Sequence, residues 1–211
     1  MKTQTDLFIF DKTYRDKSFP FTGIDEAGRG PLAGPVTAAA VILPQTFYHK
    51  DINDSKKLSP KKREELSEII KKEALTYAII SIDNTIIDTI NILQASLLAM
   101  KKAVLSLKIK PKICLIDGNK KIPDLEFNQE TIVGGDAKSA SIAAASILAK
   151  VERDKIMIDF SKQFANYNFQ KHKGYATKEH IAEIKKHGIC VIHRKTFAPI
   201  PQILSQPLFE F

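Results

Sequence analysis

Two short apolar runs constrain this chain more than any other feature. Phe21–Asp25 (FTGID) and Ile113–Asp117 (ICLID) each end in an aspartate, and a glycine follows within three residues. Short runs of β-branched and small apolar residues suit buried strands. A carboxylate at the end of a buried strand is costly unless something cationic offsets it. One such aspartate is commonly a turn initiator that bonds the next backbone amides. Two of them, at equivalent ends of strands expected to be neighbours, point instead to a shared cation site.

The remaining pattern supplies the rest of a sheet. Val36–Leu43, Tyr77–Asp83 and Glu130–Val133 also read as strands. Ser59 and Pro60 make a cap and first turn for a helix with Leu66, Ile69, Ile70 and Ala74 at helical spacing. A second helix is expected from Asp88, with Leu93, Leu97, Met100, Val104 and Leu107 on one face. A third runs from Asp136 toward Phe164, and a fourth spans Thr177–His187, capped by Thr177 and closed by Gly188. The tail with Pro199, Pro201 and Pro207 reads as irregular. The short link Gly28–Pro35 allows its two strands to be antiparallel, whereas the helical crossover before Ile113 favours a parallel neighbour. The expected class is therefore α/β: a mixed five-stranded sheet flanked by helices, with its site at the carboxyl ends of the parallel strands.

Two further acids fall near that edge. Glu26 follows Asp25 directly, but adjacent strand residues face opposite ways, so both serve one site only if the strand breaks locally; the glycines after Ala27 permit such a break. Asp136 follows the fifth strand through Gly134 and Gly135, whereas Asp154 lies eighteen residues further on. A continuous helix would separate that pair by roughly 27 Å. Asp154, among Glu152, Arg153 and Lys155, reads as part of a solvated helix face, so Asp136 is the chosen acid. Crowded carboxylates raise one another's pKa until a cation enters. An all-oxygen set suits Mg²⁺ or Mn²⁺, which can activate water and stabilise a leaving oxygen in phosphodiester hydrolysis.

Charge narrows the partner. Among 211 residues, 32 Lys and Arg against 24 Asp and Glu give a formal charge of +8, which favours a polyanion. Gly28-Arg29-Gly30 has the spacing of neither a dinucleotide fingerprint nor a Walker loop. Beside a metal site, its backbone can approach a sugar and phosphate closely, with Arg29 as charge partner. Lys56, in the basic stretch Asn53–Lys57 before a helix start, is a candidate phosphate ligand. Tyr175, in the segment His172–Tyr175, is placed to stack on a sugar or base. His187, Cys190 and His193 recur every three residues but have no matching ligand pair elsewhere, so zinc is not expected. Two cysteines, Cys114 and Cys190, form no disulfide framework and suit a reducing compartment. Met1–Lys17 lacks the apolar core of a signal peptide, and no apolar run approaches the ~18 residues of a membrane span. A cytoplasmic monomer with no membrane association is expected.

Taken together, six segments resemble the bacterial ribonuclease HII family of type 2 ribonucleases H. They are Gly23–Val36 (GIDEAGRGPLAGPV), Asn53–Pro60 (NDSKKLSP), Leu115–Gly118 (LIDG), Gly134–Ser139 (GGDAKS), Ala144–Asp154 (AASILAKVERD) and His172–His180 (HKGYATKEH). The resemblance covers Phe21 to Pro199. It implies a ribonuclease H-like fold with a small helical C-terminal portion, divided as an N-terminal extension (1–20), a catalytic core (21–165) and a C-terminal helical portion with the Pro-rich tail (166–211). The family cleaves RNA in RNA–DNA hybrids and nicks 5′ of single ribonucleotides in duplex DNA, leaving 3′-hydroxyl and 5′-phosphate ends. Its four metal-binding acids map onto Asp25, Glu26, Asp117 and Asp136. The elements that read the ribose 2′-hydroxyl and the RNA–DNA junction map onto Gly28, Arg29, Gly30 and Tyr175. That hydroxyl is what separates RNA from DNA. Two other classes fit parts of the pattern: a junction-resolving nuclease of the same fold, with no reason to carry both reading elements, and a basic binding module whose acids only make turns.

Overall fold

A computed structural model describes residues 5–205, with side chains from residue 7 onward; Pro207 of the tail lies outside the described residues. In chain order the elements are α1 (Thr5–Ser18), β1 (Phe21–Ala27), β2 (Val36–Ile42), α2 (Pro60–Glu73), β3 (Thr76–Ile82), α3 (Asn84–Leu105), β4 (Ile113–Asp117), β5 (Asn128–Ile132), α4 (Ala140–Gln163), α5 (Phe169–His172), α6 (Lys178–His187) and α7 (Ile200–Leu204). Short 3₁₀ turns sit at Ser55–Lys57 and Gly135–Ala137. The sheet order is β3-β2-β1-β4-β5. β1 is antiparallel to β2 and parallel to β4, and β4 is parallel to β5, so the mixed five-stranded sheet expected from the sequence is present. Among the described residues no helix is long and apolar enough to cross a membrane.

Each face of the sheet has its own helical cover. Ile24, Ala38, Ala40, Cys114 and Ile116 pack against Met100 and Val104 of α3. Ala39 and Val41, on the opposite face, pack against the alanines of α4. Small residues let α4 lie close to the sheet, and Gly23 completes the fit: a Cβ there would stand 2.2 Å from the Ser141 carbonyl carbon. Ser139 caps α4 by accepting from the Ile142 amide at 3.2 Å. Asp11 of α1, fully buried, accepts hydrogen bonds from the Ser139 hydroxyl at 2.6 Å and the Ser141 amide at 2.8 Å. The N-terminal segment, given no role by sequence reading, thus pins the start of α4.

Several elements differ from expectation: β1 runs on to Ala27, α4 begins at Ala140 after a separate 3₁₀ turn holding Asp136, and the tail read as irregular carries α7. β5 begins at Asn128, not Glu130, because parallel pairing with β4 sets its start and only Ile132 of its five residues is buried. α3 begins at Asn84, where the Asp83 carboxylate accepts from the Ile86 amide. Asp88 instead accepts from the amides of Lys195 and Thr196, tying the C-terminal portion to this helix. α3 is interrupted at Asn91 (φ 66°), whose side chain accepts from the Leu93 and Gln94 amides and so caps the second half. The last helices surround Tyr167, Phe169, Ile184 and Ile192, which pack with Leu32 and Ala33 of the β1–β2 loop and Met157 of α4.

Gly23→Ala places a methyl group against main chain that cannot swing aside. We expect it to destabilise the protein by about 3 kcal/mol, the upper range for an overpacked core. Urea denaturation reads this directly, and an unchanged midpoint would show that the strand and α4 are not in the contact described.

Candidate active site

The carboxyl ends of β1 and β4 lie side by side. Ile24 pairs with Ile116, so Asp25 and Asp117 are each the next residue on neighbouring parallel strands. Asp25 is 4% exposed, on the α4 face; the Glu26 amide donates to it at 2.7 Å, and the nearby Ser146 hydroxyl of α4 lowers its pKa. Burial pushes its pKa well above the usual carboxylate range, and the charges of Glu26 and Asp117 push it further. Asp117 accepts from the Gly135 amide at 2.6 Å; burial raises its pKa against that bond, and Asp136 adds to the rise. Glu26 is raised by burial, opposed by Arg29, whose Nη1 stands 3.3 Å from Oε1.

β1 stays regular through Glu26, which pairs with Ala38. No local break brings the two adjacent acids together. Glu26 instead points to the α3 face and shares a depression with Asp117, Arg29, Leu93, Ser96 and Lys120. The acids therefore saddle the sheet end, reached from both faces. Asp136 arrives from the 3₁₀ turn after β5, set by Gly134 in the left-handed region (φ 65°). It is 5% exposed, and the Lys56 ammonium lies 3.1 Å from its Oδ2.

The donor set fits a hard divalent cation. Every candidate ligand is a carboxylate oxygen, and a lysine ammonium already occupies part of the negative field. Among the described residues no three acid, imidazole or thiol side chains meet as a ready metal cage. The acids share a field that a cation would draw together.

Beside them runs the loop after β1. Gly28 adopts φ 95°, and Arg29 and Gly30 are exposed. Among the described residues the amides of Arg29 and Gly30 donate to no protein acceptor. Tyr175, 42% exposed, stands over the loop: a Cβ on Gly30 would lie 4.0 Å from its ring. Lys150 and Arg153 lie 5.8 Å from the centre of that ring. The structure thus groups the four acids and Lys56, and sets Gly28, Arg29, Gly30 and Tyr175 together next to Glu26.

Sequence reading missed several residues here. Ser146 carried no signal within its run of small residues. Arg153 was taken as part of a solvated helix face, yet it is fully buried, and Asp154 beside it is ion-paired to Lys150 at 2.8 Å. A signal existed: Ala149, Arg153 and Met157 recur every four residues, so the arginine lies on the buried stripe of α4. Arg194, also fully buried, carried none.

A chain of buried histidines lies under Tyr175. The Cys190 amide donates to His193 Nδ1 at 2.9 Å, so His193 presents its Nε2 proton to His180 Nε2 at 3.1 Å. The Cys190 carbonyl is already taken by the His193 amide. His180 then donates from Nδ1 to the Tyr175 carbonyl at 3.0 Å. The arrangement needs neutral rings. Burial, then the neighbouring histidine, holds both His180 and His193 down to about 4.

Comparison with known proteins agrees along the whole core. A family model described as Ribonuclease HII matches residues 22–200. A ribonuclease HII from Endomicrobium trichonymphae is 63% identical, covering 96% of this chain and 97% of that protein. One from Caldanaerobacter subterraneus subsp. tengcongensis is 53% identical, covering 93% and 82%. The crystal structure of ribonuclease H2 from Pyrococcus horikoshii OT3 superposes with a TM-score of 0.72 at 25% identity, covering 87% of this chain and 96% of that one.

The histidine chain has a pH consequence. In the unfolded chain these rings take up protons as pH falls below about 6.5, while in the folded protein they stay neutral to about 4. Their contribution to stability is full above the unfolded value and is lost progressively between those limits. Thermal melts from pH 7.5 to 4.5 are expected to show that loss, and His180→Asn should flatten it. An identical pH slope in the variant would contradict the neutral chain.

Proposed function

Because the chain belongs to the ribonuclease HII family, and so cleaves the RNA of RNA–DNA hybrids and cuts at ribonucleotides set in DNA, we propose that Asp25, Glu26, Asp117 and Asp136 are the carboxylates that carry this reaction. The observation that supports it most is the placement of Asp25 and Asp117 side by side just past the last β1–β4 pair, with the loop that bears Asp136 bonded to Asp117 through the Gly135 amide.

The chain is divalent-metal-dependent by family, and Mg²⁺ or Mn²⁺ held by these four acids is our reading of the ion. When bound, such a cation supplies charge that offsets the acids, acidifies a water for attack and stabilises the leaving oxygen. The chain's own groups do the rest. Ser146, the Glu26 amide and the Gly135 amide fix where the carboxylate oxygens stand. Lys56, now on Asp136, is free to exchange that carboxylate for a substrate phosphate, since its side chain is 80% exposed. Arg29 lies where it can meet the neighbouring phosphate.

Selection falls to the loop and to Tyr175. The unpartnered amides of Arg29 and Gly30 are donors for the oxygen that distinguishes ribose from deoxyribose, while the tyrosine ring packs on the sugar that follows. The cut then falls 5′ of the ribonucleotide and leaves 3′-hydroxyl and 5′-phosphate ends. In this reading residues 21–165 are the catalytic core and 166–211 the portion that completes the reader. The two free cysteines suit a reducing compartment, and we place the enzyme in the cytoplasm as a monomer.

A duplex carrying one ribonucleotide tests this. Cleavage with Mg²⁺ or Mn²⁺ should stop with a chelator, and Asp25→Asn should lower the rate about a hundredfold or more, beyond what outer partners of a metal site cost. Tyr175→Ala should weaken cleavage roughly tenfold, in line with the loss of one stacking contact. Full activity of Asp25→Asn would remove that residue from the centre.

A further inference from the structure

The chain buries two arginines completely, Arg153 and Arg194, and neither spends its charge on a carboxylate: all their hydrogen bonds go to main-chain carbonyls. Burying a guanidinium is expensive, and a fully satisfied fork of donors is the condition for keeping it. The carbonyls chosen are not scattered. Arg194 donates from Nη2 to Gly28 at 2.6 Å, from Nη1 to Arg29 at 2.9 Å and from Nε to Gly34 at 3.0 Å. Arg153 donates to Pro35 at 3.0 Å and Ala33 at 3.2 Å, and both its terminal nitrogens reach Lys173 at 3.1 Å. One guanidinium therefore bridges the start of the β1–β2 loop to its end. The other ties the end of the loop to the turn that presents Tyr175.

Peptide planarity turns this into an orientation. In a trans peptide the C=O and the N–H point in opposite directions. Phe19-Pro20 and Ala198-Pro199 are the cis bonds among the described residues, so both loop peptides are trans. With the Gly28 and Arg29 carbonyls drawn inward onto Arg194, the N–H groups of the same two peptides, those of Arg29 and Gly30, face outward. These are the two amides without a protein acceptor among the described residues. Gly28 makes the approach possible, since a Cβ there would lie 2.0 Å from Arg153 Nε.

We propose that Arg194, backed by Arg153, is a positioning residue for ribonucleotide selection: by gripping the inward carbonyls of the Gly28-Arg29-Gly30 loop it aims two adjacent amides at the substrate sugar. It touches no reacting atom. This rests on the reading of the loop as the ribose reader and adds to it the device that sets the geometry. The requirement is a fork: a lysine keeps the charge but cannot reach three carbonyls in one plane.

The test compares binding of a duplex with one ribonucleotide against the same duplex in all-DNA form, by fluorescence anisotropy in a chelator so that nothing is cut. The ratio of the two affinities does not depend on how much protein is folded. Arg194→Lys is expected to lose about tenfold of that ratio, the equivalent of one well-aimed hydrogen bond to a charged or desolvated group. Its affinity for plain DNA should change by less than about twofold, since the net charge is kept. Arg194→Gln should lose the ratio equally. If the lysine variant keeps the ratio, charge alone suffices and the proposal is overturned. Gly30→Ala separates the underlying reading, because a methyl group there meets only the Tyr175 ring at 4.0 Å and leaves the fold alone. A lowered ratio in Gly30→Ala with an unchanged ratio in Arg194→Lys refutes the positioning role while the loop remains the reader. An unchanged ratio in Gly30→Ala means the loop is not the reader, and Arg194 then has nothing to position.

Discussion

Negative charge crowded at the carboxyl end of a parallel strand pair is the constraint on which the rest of the site depends. Asp25 is nearly out of solvent, and Glu26, Asp117 and Asp136 stand close enough to feel one another. Left alone, such a group would resist ionisation. The surrounding fold is arranged to tolerate it, with a serine of α4, two backbone amides and the Lys56 ammonium each set against a carboxylate oxygen. What remains is a hard, all-oxygen field whose natural complement is a divalent cation.

The acids themselves carry no preference for RNA. Discrimination requires a rigid surface at a fixed distance from them, and we assign that surface to the loop that leaves β1 after Ala27. Two buried guanidinium groups, a glycine with positive φ at position 28 and the turn before Tyr175 form one hydrogen-bonded unit. The C-terminal helices support that unit from below. They bring Phe169 and Ile192 against Leu32 and Ala33, and a chain of neutral histidines against the Tyr175 carbonyl. In the proposed function, catalytic and selective parts are joined by β1 itself: the strand carries two of the acids and runs on into the loop proposed as the reader.

Much of this was legible in the sequence, for reasons that differ by residue. Asp25 and Asp117 stand out in the sequence because an apolar run closes on each of them, although β1 itself continues to Ala27. Asp136 could be preferred over Asp154 because helix rise separates the two. Glu26 was a candidate only on condition of a local break, whereas β1 stays regular there and sets Glu26 on the opposite face of the sheet from Asp25. Arg153 was hidden by its charged neighbours, although its fourfold spacing from Ala149 and Met157 marked the buried face. Arg194 and the partnership of Asp11 with Ser139 depend on contacts between residues more than a hundred positions apart, which no local pattern encodes.

The most direct measurement on the carboxylate centre is calorimetric titration of Mn²⁺ into the full chain and into Asp25→Asn and Asp117→Asn. Both variants should bind at least about tenfold more weakly than the unaltered protein, because each removes a charged oxygen donor from the same field. Equal affinity in all three proteins would contradict a shared metal centre at the ends of β1 and β4.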